Sequence, residues 1–259
     1  MGHVRLGKLR TSRKWRQVVA LLDRNADVAD IAEAVATAAE DELFSARGDP
    51  VLANTVWLLT QLPLAARSDR FDAELVSLGF SPGSEQSLLS IIAGLSRAID
   101  SQIPGAQDRT DFGELARQAA SESLSTLVGS QMPGLFGNSA ADFQTELAKF
   151  ASKDRFALLA RDFFARLTYK TLDYYISRVL PDFTGPGRSL GSLERQDGFR
   201  TGLELHCREA AAIVETFAGG WLSKAKFKGR LTKEATQGFT DYALKKMRDE
   251  LRARRADDA

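Results

Sequence analysis

Apolar residues recur every three or four positions along almost the whole chain, and this spacing constrains the fold more than any other feature. Between residues 154 and 180, one face collects Phe156, Leu159, Phe163, Leu167 and Leu172. A repeat of 3.6 residues places such side chains on one side of an α-helix, whereas a half-buried strand alternates every two residues. We find no segment with the β-branched alternation of strands. The sequence therefore predicts an all-α protein with about eight or nine helices.

The chain is long enough to bury a sizeable core within one domain. It has 259 residues, of which 44% are hydrophobic and 27% are charged, values that are typical of a globular protein. The clearest interruption of the helical pattern is the stretch 129–138, which contains Gly and Pro residues. We predict a single compact helical domain over residues 1–259, with two lobes, 11–128 and 139–255, and a basic arm at 1–10.

Several helix ends can be predicted from capping residues. Asp49 followed by Pro50 is typical of a helix start, and the segment 111–114, which begins with Asp111, has the form of a capping box. Thr232 is placed to cap a last helix that ends in Arg and Lys residues. The glycine pair 219–220 predicts a helix break, after which the chain continues as a basic link over residues 223–233.

Charge is distributed unevenly along the chain, although the net charge is only +1. Residues 1–22 contain six Lys or Arg and no carboxylate, and residues 221–256 contain eleven Lys or Arg against four carboxylates. The middle of the chain is correspondingly acidic. Basic ends favour an anionic ligand, either a nucleic acid (DNA or RNA) or the acidic surface of a protein partner. The alternative is that the basic ends fold back onto the acidic middle of the same chain.

The two basic segments supply the candidate ligand-binding residues. In the link, lysines alternate around an aromatic residue, so the cations would contact phosphates while Phe227 stacks on a base. The alternative is a solvated turn with Phe227 tucked into the core. Together the two segments predict one continuous anion-binding surface, made of Arg5, Lys8, Arg10, Arg13, Lys14, Lys224, Lys226, Phe227, Lys228 and Arg230.

The pair Arg200 and His206 is the candidate for catalysis. Its spacing, Arg-x5-His, resembles the short arginine–histidine signature of HEPN ribonucleases, which are helical and usually build the active site across a dimer. The resemblance implies that His206 acts as general base or acid on an RNA 2′-hydroxyl and that Arg200 stabilises the phosphate charge. The alternative is structural, because His206 also lies within a helical apolar stripe from Phe199 to Phe217.

Three further features bear on chemistry or binding: the single cysteine, the small number of potential metal ligands, and an apolar loop. Cys207 adjoins His206, but neighbouring helical residues point about 100° apart, so we predict a small buried residue and not a nucleophile. With one cysteine and two histidines in the chain, we expect no metal site, and no nucleotide or cofactor motif is present. The apolar loop residues Leu135 and Phe136 are candidates for docking a protein partner or a second copy of the chain, and the alternative is that they fill the groove between the two lobes.

Location and function follow as expectations from these features. A single cysteine and the lack of a basic, apolar leader predict a cytoplasmic protein, and the longest apolar stretch, 50–66, is too short to predict a membrane span. We expect a non-enzymatic cytoplasmic subunit or adaptor of a larger assembly, which binds nucleic acid or an acidic protein partner through its basic terminal segments. A HEPN-like ribonuclease and a protein-only interaction scaffold are the alternatives.

Overall fold

The computed structural model describes residues 13–24, 26–45, 47–81, 87–101, 110–132, 140–178, 180–184, 188 and 190–257. These residues form α-helices and two 3₁₀ turns, with no strand among them. The helices are α1 (Arg13–Asp23), α2 (Val28–Ser45), α3 (Pro50–Ala65), α4 (Phe71–Ser77), α5 (Leu88–Asp100), α6 (Asp111–Leu127), α7 (Ala140–Lys149), α8 (Lys153–Ile176), α9 (Leu193–Ala210), α10 (Ala212–Phe227) and α11 (Lys233–Asp257). The all-α prediction is confirmed. The number of helices is close to the predicted eight or nine. It is higher partly because α9 and α10 count as two helices, although only Ala211 lies between them.

Helix α8 lies at the centre, as its long apolar face predicts, and α2, α6, α9 and α10 pack around it. Helix α10 runs antiparallel to it. The ring centroids of Phe156 and Trp221 lie 6.1 Å apart, while Arg161, further along α8, pairs with the earlier α10 residue Glu215 at 2.7 Å. The C-terminal end of α10 therefore extends past the N-terminal end of α8.

Local capping chemistry sets several helix starts. Asp49 and Thr232 cap α3 and α11 as predicted, since each side-chain oxygen accepts a hydrogen bond from a backbone N–H three residues on, at 2.9 and 3.2 Å. The cap of α6 is Thr110 and not Asp111, because Thr110 is the last residue with extended backbone (φ −119°, ψ 153°). Its hydroxyl accepts a hydrogen bond from the N–H of Gly113 at 2.8 Å.

The helix break predicted at Gly219 and Gly220 is wrong, because α10 continues through both residues to Phe227. Gly219 is buried against α8, where a Cβ atom would lie 2.4 Å from the carbonyl oxygen of Lys153. Gly220 is exposed, and a Cβ there would meet nothing within 4 Å. Gly219 thus permits the close approach of two helices, and this packing outweighs the low helix propensity of glycine. The predicted basic link is the last turn of α10 followed by a short turn into α11.

The buried apolar side chains of the described helices form one connected cluster. Helix α2 packs against α9 and α11 as well as α1, and α3 packs against α6, α7 and α11. The helices on both sides of 129–138 therefore share contacts. Residues 133–139 lie outside the described residues, and the division into two lobes stays a prediction.

Candidate nucleic-acid interface

The C-terminal end of α10 and the turn that follows it form an exposed, positively charged surface, which we call the basic junction. Its residues are Lys224, Lys226, Phe227, Lys228 and Arg230. Helix α10 ends at Phe227, and the chain reverses through Gly229, whose φ of +59° lies in the left-handed region that favours glycine. The structure therefore brings together the five candidate binding residues of the predicted link, on the end of a helix and the turn beside it.

Phe227 is the most exposed large apolar side chain in the described part of the protein, at 91%. The alternative prediction, which placed it in the core, is therefore wrong. The reason is geometric, because the last turn of α10 extends past the start of α8. Within the helix pair, the α10 residue Trp221 finds a stacking partner in Phe239 at 4.4 Å. Phe227, six residues further along, has no helix to pack against.

The four cations of the basic junction have no carboxylate within 4.0 Å in the part of the chain that the structure describes. Two cations of α8 differ from them. Arg166 pairs with Asp162 at 2.6 Å and Lys170 pairs with Glu122 at 2.7 Å. The positive field of the basic junction is thus not neutralised by near neighbours among those residues, and it acts on the solvent.

Arg67, which follows α3, enlarges this positive surface. Its Nε donates a hydrogen bond to the carbonyl oxygen of Ala148 at 3.3 Å, which ties it to the end of α7. Desolvation lowers the pKa of Lys226, and the charge of Arg67 lowers it further, so the two cations interact unfavourably. Arg67 could not be predicted from the sequence, because it follows an apolar helix far from the basic segments in the chain and only tertiary packing brings its charge to act on Lys226.

The predicted N-terminal part of the surface is not brought to the basic junction. Arg13 and Lys14 begin α1, and the neighbouring Trp15 ring lies 5.8 Å from Tyr175, near the C-terminal end of α8. Since α8 has 24 residues, it is about 36 Å long, and its two ends separate these residues from the basic junction. The other predicted binding residues, Arg5, Lys8, Arg10, Leu135 and Phe136, lie outside the described residues.

Lys14 lies next to acidic residues of its own chain. It lines a cleft of about 170 Å³ between α1 and α2, together with Asp30 and Glu33 of α2. One alternative from the sequence is that the basic ends fold back onto the acidic middle of the same chain. The position of Lys14 near Asp30 and Glu33 fits that alternative for the N-terminal segment. The cations of the basic junction have no carboxylate within 4.0 Å among the described residues, so the basic junction is the stronger candidate for binding an external anion.

Arg200 and His206 both lie on α9 and point in different directions. Their separation of six residues places them about 120° apart around the helix axis. Arg200 is exposed, and its charge acts on two residues of α8, Tyr169 and Asp173. Burial raises the pKa of both residues, and the charge of Arg200 opposes the rise in each. His206 is half-buried. The described geometry therefore links Arg200 to α8 residues and not to His206.

The fully buried stripe of α9 passes beside His206. It consists of Phe199, Leu203, Cys207 and Ala210. Cys207 is thus the small buried residue that the sequence predicts. Burial raises the pKa of its thiol far above the ordinary value, and the Glu204 carboxylate adds to the shift. A protonated thiol in the core is a poor nucleophile.

We expect the Cys207 thiol to react with Ellman's reagent at least about a hundredfold more slowly in the folded protein than in concentrated urea, because labelling requires the helix to open first. The measurement is the rate of absorbance change with and without urea. Rapid labelling of the folded chain, at the rate of a free thiol, would contradict this burial.

Two kinds of feature are absent from the described residues. No group of three or more His, Cys, Asp or Glu is placed to hold a metal ion there, and no helix there is long and apolar enough to cross a membrane. No protein-family model, curated protein or solved structure matches the chain.

Proposed function

We propose that this protein binds nucleic acid through the basic junction and acts as a non-enzymatic cytoplasmic subunit or adaptor of a larger assembly. One observation carries the proposal: Phe227 is 91% exposed in the midst of four cations that have no carboxylate partner among the described residues. Lysine and arginine gain free energy from phosphates by releasing counterions, and an aromatic face gains it from a nucleobase. The free cysteine fits a reducing compartment.

The basic junction is unfavourable for the protein alone. Phe227 leaves its apolar ring in water, and the pKa of Lys226 is lowered by desolvation and further by the charge of Arg67. A ligand that brings negative charge together with flat apolar faces relieves both effects. Nucleic acid has both properties, whereas an acidic protein surface mainly supplies the charge.

The dipole of α10 explains only part of the positive charge of the basic junction. Lys224 and Lys226 lie in the last turn of α10, where cations stabilise a helix by about 0.3–1 kcal/mol each through its dipole. Lys228 is the C-cap residue of α10, so its charge adds to this effect, but Arg230 lies two residues further on and adds little. An exposed phenylalanine contributes nothing to it. Ligand binding accounts for all five residues together.

Replacing Lys226, Lys228 and Arg230 together by Ala should weaken RNA or DNA binding and flatten its salt dependence. Each lost phosphate contact reduces the magnitude of the slope of log affinity against log salt concentration by about 1. The slope of the triple variant should therefore be smaller in magnitude by up to about 3. Fluorescence anisotropy of a labelled oligonucleotide across a KCl series measures this. The matched control replaces Arg188, Arg208 and Lys245, three exposed cations elsewhere, by Ala and makes the same change in net charge.

The control variant should bind like the unmodified protein. Equal weakening by both triple variants would mean that net charge alone matters and would refute the assignment to the basic junction. If the unmodified protein binds no nucleic acid at low salt, the protein-only scaffold replaces the proposal. If it cleaves RNA, and His206→Ala stops the cleavage without unfolding the protein, the HEPN-like ribonuclease replaces it.

A further inference from the structure

We infer that the basic junction selects single-stranded nucleic acid, with one base stacked on Phe227 and one phosphate held between Arg67 and Lys226. This inference rests on the proposed function and specifies the form of nucleic acid that is bound. Two structural features carry it: the exposure of Phe227 at the end of α10, and the position of Arg67, an exposed cation that is tied to the end of α7 and whose charge acts on Lys226.

The exposed ring suits an unpaired base. Phe227 lies at the end of a helix whose preceding turns are held by α8, so the ring is presented on a rigid support and not on a loose loop. The faces of unpaired bases are open, and stacking on an aromatic side chain is tolerant of base identity. A duplex hides those faces between neighbouring base pairs, so the ring would reach them only by forcing a step apart.

The two cations suit a single phosphate. Arg67 follows α3 and Lys226 lies in the last turn of α10, and neither has a carboxylate within 4.0 Å in the described part of the chain. The Nε of Arg67 is occupied by the Ala148 carbonyl. Its two terminal nitrogens remain for the paired hydrogen bonds that guanidinium groups make with phosphate oxygens. A phosphate placed there converts a repulsion between two cations into two attractions.

A duplex would satisfy only half of this surface. Its phosphates can contact Lys226, Lys228 and Arg230, but Phe227 would remain in water. The same holds for a polyanion without bases. Binding of a single strand should therefore depend on both charge and the Phe227 ring, whereas binding of a duplex or of polyphosphate should depend on charge alone.

The test compares three probes on the full chain: an oligothymidine of about 15 nucleotides, a mixed-sequence duplex of the same length, and inorganic polyphosphate. Phe227→Ala should weaken oligothymidine binding about tenfold or more and leave the other two within about twofold. Phe227→Trp should restore the oligothymidine affinity. Arg67→Ala should weaken binding of all three and lower their salt dependence.

The outcomes separate the inference from the proposed function. If neither nucleic acid binds, the proposed function fails and the inference fails with it. If the single strand and the duplex bind equally and Phe227→Ala changes neither, the proposed function stands and the inference is overturned. An unchanged melting temperature of Phe227→Ala is the folding control, because the side chain is almost fully exposed.

Discussion

Replacing Phe239 by Ala should lower the free energy of unfolding by about 3–5 kcal/mol, a large share of the stability of an ordinary domain. Phe239 lies on α11 and is only 3% exposed. Four aromatic rings of α8 and α10 lie with their centroids 4.4 to 6.3 Å from its own: Phe156, Phe164, Phe217 and Trp221. Truncation removes the ring shared by three helices and leaves a cavity that the neighbouring helices cannot fill without moving.

Urea unfolding followed by circular dichroism measures this loss, and Phe227→Ala is the matched control. Both variants delete the same side chain, but one is buried and the other is 91% exposed. The control should stay within about 0.5 kcal/mol of the unmodified protein. Similar losses in the two variants would contradict either the burial of Phe239 or the exposure of Phe227.

The same pair of residues marks the limit of prediction from sequence. The helical spacing of apolar residues is a local property, and in α11 Phe239, Ala243 and Met247, which have this spacing, are all buried. Phe227 also lies on a helix, but its exposure depends on where the partner helix α8 begins. That relation is set by the antiparallel register of α8 and α10, which no local pattern encodes. The sequence alone therefore allows Phe227 to be either exposed or buried in the core and does not distinguish between the two.

The positively charged surface shows the same limit of prediction from sequence. Counting Lys and Arg along the chain identifies two basic ends, and the composition of the link correctly groups Lys224 to Arg230. The count cannot show that α8 separates Arg13 and Lys14 from that group, or that Arg67 joins it from α3. Surfaces are assembled by tertiary packing, so a candidate site is predicted from sequence only as far as its residues are neighbours in the chain.

Packing of α10 on α8 also determines where the basic junction lies. The close approach at Gly219 fixes how far α10 slides along α8, and thus how far its last turn projects beyond it. A side chain at this position would force the helices apart. The glycine that looked like a helix break is therefore the residue that holds the presenting helix in place.

Gly219→Ala and Gly220→Ala should change stability in opposite directions. At Gly219 the new methyl group would lie 2.4 Å from the Lys153 carbonyl oxygen and 3.0 Å from its carbonyl carbon, which are backbone atoms that cannot rotate away. Such overpacking costs about 1–3 kcal/mol, and the gain in helix propensity offsets only part of it. At Gly220 the methyl group meets nothing within 4 Å, so the propensity gain of about 0.5–1 kcal/mol should appear in full.

Chemical denaturation of the two variants tests this difference, since they make the same substitution at adjacent positions. Gly219→Ala should unfold at lower urea and Gly220→Ala at higher urea than the unmodified protein, with unchanged slopes. Gly219→Ala should also weaken oligonucleotide binding, because separating α10 from α8 displaces Lys226 relative to Arg67. Stabilisation by both substitutions would show that the helices do not touch at Gly219, and the rigid placement of the basic junction would then lose its structural basis.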